Sequence, residues 1–239
     1  MIRRLGTLLF AILALEGCNS LPNAASNPSP SILPAGPEIS ADDVTADTGA
    51  LYLSVVEGLN KQQRYGAALA FLDSYAHKGG TSTPQYWLLR GNALLGQGRA
   101  SEAGIAFANL EGSPLAGDGW NGCGRVAAQS RNWAKAEVDF QKAVGQEPAN
   151  ADFLNNLAFA DMHLNQRADS VARLRQAYEL EPDSERIRNN LAIALTLKGD
   201  ANSADALLSS IRDDGKRREA QALVKKAIAN FNSNTGDNS

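Results

Sequence analysis

Cysteine and histidine are scarce in this chain, and their scarcity leaves most metal and redox chemistry without a foothold. Only Cys18, Cys123, His77 and His163 occur in 239 residues, and neither pair forms a metal-binding spacing or a disulfide framework. A glycine-rich phosphate loop and a nucleophile elbow are also missing. The chain therefore reads as a non-enzyme with no cofactor, no metal and no small-molecule substrate. Positive charge is lacking too: a formal net charge of −3 gives no electrostatic footprint for nucleic acid. The apolar run at residues 5–15 is too short to cross a bilayer comfortably.

What the chain does have is a repeat. In the stretch ADFLNNLAFADMHLNQRADSVARLRQAYELEP, beginning at Ala151, Leu154, Leu157, Ala158 and Asp161 share one stripe of a first helix. Ser170, Leu174 and Ala177 share one stripe of a second, with Asn165 between the two helices. A shift of 34 residues back gives Trp120, Cys123, Gly124, Ala136, Phe140, Ala143 and Pro148; a shift of 34 forward gives Leu191, Ala192, Gly199, Ala204, Leu208 and Ile211. Small residues at Gly124, Ala158 and Ala192, and at Ala136, Ser170 and Ala204, let paired helices approach closely. Pro148 and Pro182 end second helices, and Asn150 and Ser184 are placed to cap the helices that follow.

This period and its alternation of large and small residues resemble the tetratricopeptide (TPR) repeat. The fold it implies is all-α, a TPR α-solenoid of about five helical hairpins plus a C-terminal capping helix. A degenerate first copy carries Tyr52, Val55, Val56, Leu59, Ala68, Leu72 and Tyr75. The second opens on Thr83-Pro84, a cap followed by proline at the first helical position, and carries Trp87, Gly91, Leu94, Gly98, Ala103, Phe107 and Leu110. Trp87 to Trp120 is one residue short of the period, and the loop near Ser113-Pro114 is expected to absorb the deletion. After Asp213-Asp214-Gly215, an apolar stripe of Ala220, Leu223, Val224, Ala227 and Phe231 marks a last helix that covers the final hairpin.

The repeat domain spans residues 47–231, with a frayed tail at 232–239. Before it, residues 1–17 read as an export signal, with Arg3 and Arg4 ahead of the apolar core. The signal ends in Leu15-Glu16-Gly17-Cys18, which resembles the bacterial lipoprotein box, with Glu16 where that pattern has a small or apolar residue. The resemblance implies a covalent lipid on Cys18, whose thiol is the most nucleophilic side chain available for it. Two or three acyl chains, at about 0.8 kcal/mol per buried CH₂, would hold the chain at a membrane. Asn19 after the cysteine implies the outer membrane by the enteric sorting rule. Residues 18–46 form a tether rich in Pro and Ser that would let the folded part search for a partner nearby.

Candidate binding residues lie on the first helices. Asn121, Asn155 and Asn189 recur at the fifth place of three repeats, and Asn156 and Asn190 follow at the sixth. In TPR proteins these places line the concave side, where amides can offer a donor and an acceptor to a peptide backbone; small polar residues also suit a solvated inner face. Phe159, Arg125 and Arg186 join that candidate groove. So does His163, read as a solvated histidine. The lysine and arginine set with which chaperone-binding TPR domains clamp a terminal carboxylate is absent, so that ligand is not expected. Cys123 reads as a buried, inert thiol. Arg167, Arg173, Arg175, Lys225 and Lys226 read as solvated faces.

Lipoprotein signal, tether and the runs LNNLAFADMHL and IRNNLAIALTLKGD together resemble the TadD lipoproteins of the tight-adherence (Flp pilus) system. That resemblance implies an adaptor on the periplasmic face of the bacterial outer membrane, helping to sort or stabilise the secretin of the pilus machine. A second class of TPR lipoprotein, scaffolds for peptidoglycan hydrolases or outer-membrane protein assembly, fits the same residues.

Overall fold

A computed structural model describes residues 46–236; the signal, Cys18 and nearly all of the tether lie outside the described residues. Every regular element among them is a helix: α1 (Ala46–Lys61), α2 (Tyr65–His77), α3 (Pro84–Gly96), α4 (Ala100–Ala108), α5 (Ala116–Gln129), α6 (Trp133–Gln146), α7 (Ala151–His163), α8 (Arg167–Leu180), α9 (Glu185–Lys198), α10 (Ala201–Ser209) and α11 (Asp214–Gly236). The first ten form five antiparallel hairpins, each packed on the next. The expected α-solenoid with a C-terminal helix is therefore present. The last helix runs to Gly236, five residues into the stretch expected to be a tail.

The turn inside every hairpin is built the same way. Gln63, Gly98, Arg131, Asn165 and Gly199 all sit at positive φ, between 57° and 93°. The next residue's N–H closes on a carbonyl five back: Arg64 to Leu59, Arg99 to Leu94, Asn132 to Ala127, Gln166 to Asp161 and Asp200 to Leu195, all at 2.8–2.9 Å. This is the Schellman closure, which satisfies carbonyls left over at the helix end. Helix starts are less uniform. Thr83 accepts from the Tyr86 N–H and Asn150 from the Phe153 N–H, as expected of caps, whereas the Ser184 side chain makes no capping bond.

The one-residue deficit between Trp87 and Trp120 is taken from a helix rather than a loop. Helix α4 stops at Ala108 after nine residues, where α6 has 14, and the linker to α5 that follows turns at Gly112, φ +73°. The Ser113 hydroxyl donates to the Leu110 carbonyl and accepts from the Leu115 N–H.

The small residues do what their places require. Ala158, Ala192, Ala136 and Ser170 have no exposed surface and Ala204 has almost none. A Cβ on Gly124 would lie 2.5 Å from the Phe140 ring, and one on Gly122 would lie 2.3 Å from the Phe107 ring. Helix α5 therefore presents bare backbone to two phenylalanines, one from the hairpin before and one from its own partner. The interior forms three apolar clusters, around Leu72 and Phe107, around Phe140 and Leu157, and around Leu174 and Ile187.

Candidate protein-binding hollow

Stacking hairpins at a constant offset sets the first helices α3, α5, α7 and α9 side by side, and side chains one period apart meet. Arg125 Nη1 donates to Asn92 Oδ1 at 2.8 Å, Asn156 Nδ2 to Asn121 Oδ1 at 2.8 Å, and Asn190 Nδ2 to Asn155 Oδ1 at 2.9 Å. Asn155 Nδ2 joins the last two pairs by donating to Asn156 Oδ1 at 3.3 Å. The amides thus form one chain, Asn190 to Asn155 to Asn156 to Asn121. This changes their expected role: much of their bonding capacity is spent on neighbouring repeats, tying α5, α7 and α9 together.

Burial divides the predicted residues. Asn155 is 2% exposed and unavailable to a ligand. Asn189 is half-buried, with its Oδ1 sealed from solvent and unpaired. Asn121, Asn156 and Asn190 are half-buried, while Arg125 and Arg186 are exposed. Arg186 is held by Asp152 and, at 3.3 Å, by Asn156 Oδ1. Arg125 differs: its hydrogen bond goes to an amide, and among the described residues no carboxylate lies within ion-pair distance of it. Part of the Arg125 side chain reaches solvent, yet the helices packed around its guanidinium, with Arg186 as a like charge, push its pKa below the ordinary value. A cation in that setting favours an incoming carboxylate.

At the other end the hollow is aromatic and shut. Trp133 stacks flat on His163, ring centroids 3.6 Å apart and planes 1° from parallel. Phe159 meets both rings edge-on at 5.7 and 4.9 Å. His163 is therefore half-buried in an aromatic cluster rather than solvated as expected. Burial, reinforced by Arg131, lowers its pKa to about 4, so the imidazole is neutral at physiological pH.

Several other residues differ from their expected roles or were not anticipated. Arg173 is half-buried and holds buried Asp161 at 2.5 Å instead of lying on a solvated face. Arg167, Arg175, Lys225 and Lys226 are exposed as expected, and Arg167 also donates to Asn165 at 2.7 Å and to the Leu197 carbonyl. Cys123 is half-buried, and burial pushes its thiol up. Sequence reasoning missed Asn92, although it stands 33 residues before Arg125, close to the period. It also missed Trp133, whose position at the start of a second helix carries no such signal. Among the described residues no group of three or more His, Cys, Asp or Glu could hold a metal, and no helix is long and apolar enough to cross a membrane.

The tetratricopeptide repeat family matches residues 165–228, from the α7–α8 turn into α11. Among solved structures, a thermophilic TPR protein from Thermus thermophilus superposes with a TM-score of 0.63 at 21% identity, covering 76% of this chain and 99% of its own. MamA from Desulfovibrio magneticus, from residue 41 to its end, gives 0.54 at 20% identity over 74% of this chain and 97% of its own. No curated protein matches the chain by sequence. None of these matches is to a catalytic family. The described residues therefore have the TPR solenoid fold, and residues 165–228 within them are tetratricopeptide repeat sequence.

Proposed function

We propose that this chain is a protein–protein adaptor that grips an acidic partner segment in the open half of its hollow, beside Asn92, Asn121, Arg125 and Asn156. The observation that carries the reading is Arg125, a cation on the concave side held by an amide instead of a carboxylate. Amides beside it supply donors and acceptors for an extended backbone. The finer reading places the adaptor at the periplasmic face of the outer membrane, lipid-anchored through Cys18, with a secretin of a Flp/Tad pilus system as partner. Its support is the Leu15-Glu16-Gly17-Cys18 run, the tether and the resemblance to TadD. A weak groove then becomes effective through confinement.

Two experiments separate the layers. Arg125→Glu removes the bond to Asn92; it is expected to cost about 1 kcal/mol of stability, to leave the chain folded, and to weaken capture of the cognate secretin about tenfold or more. Capture unchanged by Arg125→Glu would reject the groove; capture of a peptidoglycan hydrolase in the secretin's place would favour the scaffold alternative. Cys18→Ser is expected to move the chain from the detergent-extracted membrane fraction to the soluble periplasm and to abolish labelling by a fatty-acid probe. Retention in the membrane without labelling would contradict the anchor.

A further inference from the structure

Helix α11 reaches farther than a cap requires. Ala220 and Val224 are buried in the same apolar cluster as the final hairpin, which closes the end of the solenoid. Yet α11 packs chiefly on α9, less on α10. Lys216 near its start pairs with Glu185 at the start of α9, whereas Phe231 near its end stands 4.6 Å from the His163 ring and 6.4 Å from the Phe159 ring. Those rings belong to α7, a full repeat before the hairpin being capped. The helix therefore lies obliquely across the concave side.

Its effect is visible along one register of the hollow. Arg125, Phe159 and Ile193 occupy the same place, 34 residues apart, on α5, α7 and α9. The first is exposed, the second half-buried and the third 4% exposed. A solenoid alone would leave all three facing the hollow; the gradient follows the approach of α11.

We propose that the socket formed by Trp133, Phe159 and His163 is a docking site for an amphipathic helix carrying an aromatic anchor, shielded in cis by Phe231 until such a helix displaces it. The seated helix specifies the chemistry. Leu223, Ala227 and Phe231 follow at i, i+4 and i+8 on one face, a recurring helix-in-groove pattern, with exposed Lys225 and Lys226 elsewhere on the helix. Phe231 lies in the last turns of α11, so its contact with α7 can open while Ala220 and Val224 stay packed. The proposal shares the concave face with the adaptor reading but uses different residues.

The test uses the full chain and a fluorescent synthetic peptide with the sequence of residues 214–236 as probe. Phe231→Ala is expected to bind the probe about tenfold or more tightly than wild type, and adding Phe159→Ala should abolish that binding. Phe231→Leu, which keeps apolar bulk in the helix, should fall between and guards against simple loss of α11. Equal binding by wild type and Phe231→Ala, or binding by neither below about 1 mM, would overturn the socket. A wild-type dimer that Phe159→Ala dissolves would overturn the cis shield, since a second copy would then supply the helix. Probe binding is measured without the partner, and the capture experiment with Arg125→Glu without the probe, so failure here and failure of the adaptor reading are distinguishable.

Discussion

Phe107→Ala is expected to destabilise the chain by about 3–5 kcal/mol, in the range of large buried aromatics, and to change the sign of a second substitution. The ring is 1% exposed and lies between two glycines of different hairpins: a Cβ on Gly91 would come within 2.5 Å of it and one on Gly122 within 2.3 Å. Alanine at 122 gains about 1 kcal/mol of helix propensity but forces the ring out of place, at about 1–3 kcal/mol. In the wild-type background Gly122→Ala should therefore be neutral to destabilising. In the Phe107→Ala background the ring is gone, the methyl enters the cavity, and the same change should stabilise. A double-mutant cycle from urea midpoints reads the coupling. An equal effect in both backgrounds would show that Phe107 does not set the approach of α5 to its neighbours.

The second large effect is electrostatic. Asp161 is fully buried; one carboxylate oxygen meets Arg173 at 2.5 Å and the other has no partner. Burial raises its pKa from 3.8 to about 6 against the pull of Arg173, with Glu137 and Asp169 adding repulsion. Arg173→Met leaves that carboxylate unpaired and should cost about 3–5 kcal/mol at pH 7. Because the folded pKa lies above the unfolded one, the native state holds a proton that the unfolded state releases. Stability from this group is full below about pH 4 and is lost as pH rises through about 6. The deficit of Arg173→Met should accordingly shrink at pH 5.

His163 runs the other way. Its folded pKa, about 4, lies below the ordinary 6.5, so acidification through that window protonates the unfolded chain first and stability falls. Each group contributes on the order of 2 kcal/mol, and in wild type the two slopes largely offset. Asp161→Asn should expose the falling slope on acidification and His163→Leu the rising one. Parallel slopes in the two variants, from urea midpoints at pH 7 and 5, would contradict these environments.

These sites also show where sequence reasoning stops. The 34-residue period was legible because helix contact depends on side-chain size at fixed places: Gly124, Ala158 and Ala192 could be assigned without coordinates. Gly98 and Gly199 announce their left-handed turns, but Gln63 and Arg131 adopt the same conformation with no glycine to mark it. The asparagine places were readable. Their bonding to one another was not, because the gap between Asn121 and Asn156 depends on how each hairpin tilts on the last. The apolar stripe of α11 shows that one face is covered, not which helix covers it, so the reach of Phe231 to α7 required the fold. Arg173 looked solvated because nothing local reveals that Asp161 lies beneath it.

The central claim, that the open concave side near Arg125 receives the partner, is tested most directly by photo-crosslinking the full chain to its partner in cells. Crosslinker residues would be placed singly at Asn92 and Asn121, which leaves Arg125 in place, and, on the second helices, at Ile105 and Val138, which are 66% and 50% exposed. The account predicts partner adducts from Asn92 and Asn121 and none from Ile105 or Val138. Adducts from the second-helix positions alone would contradict it.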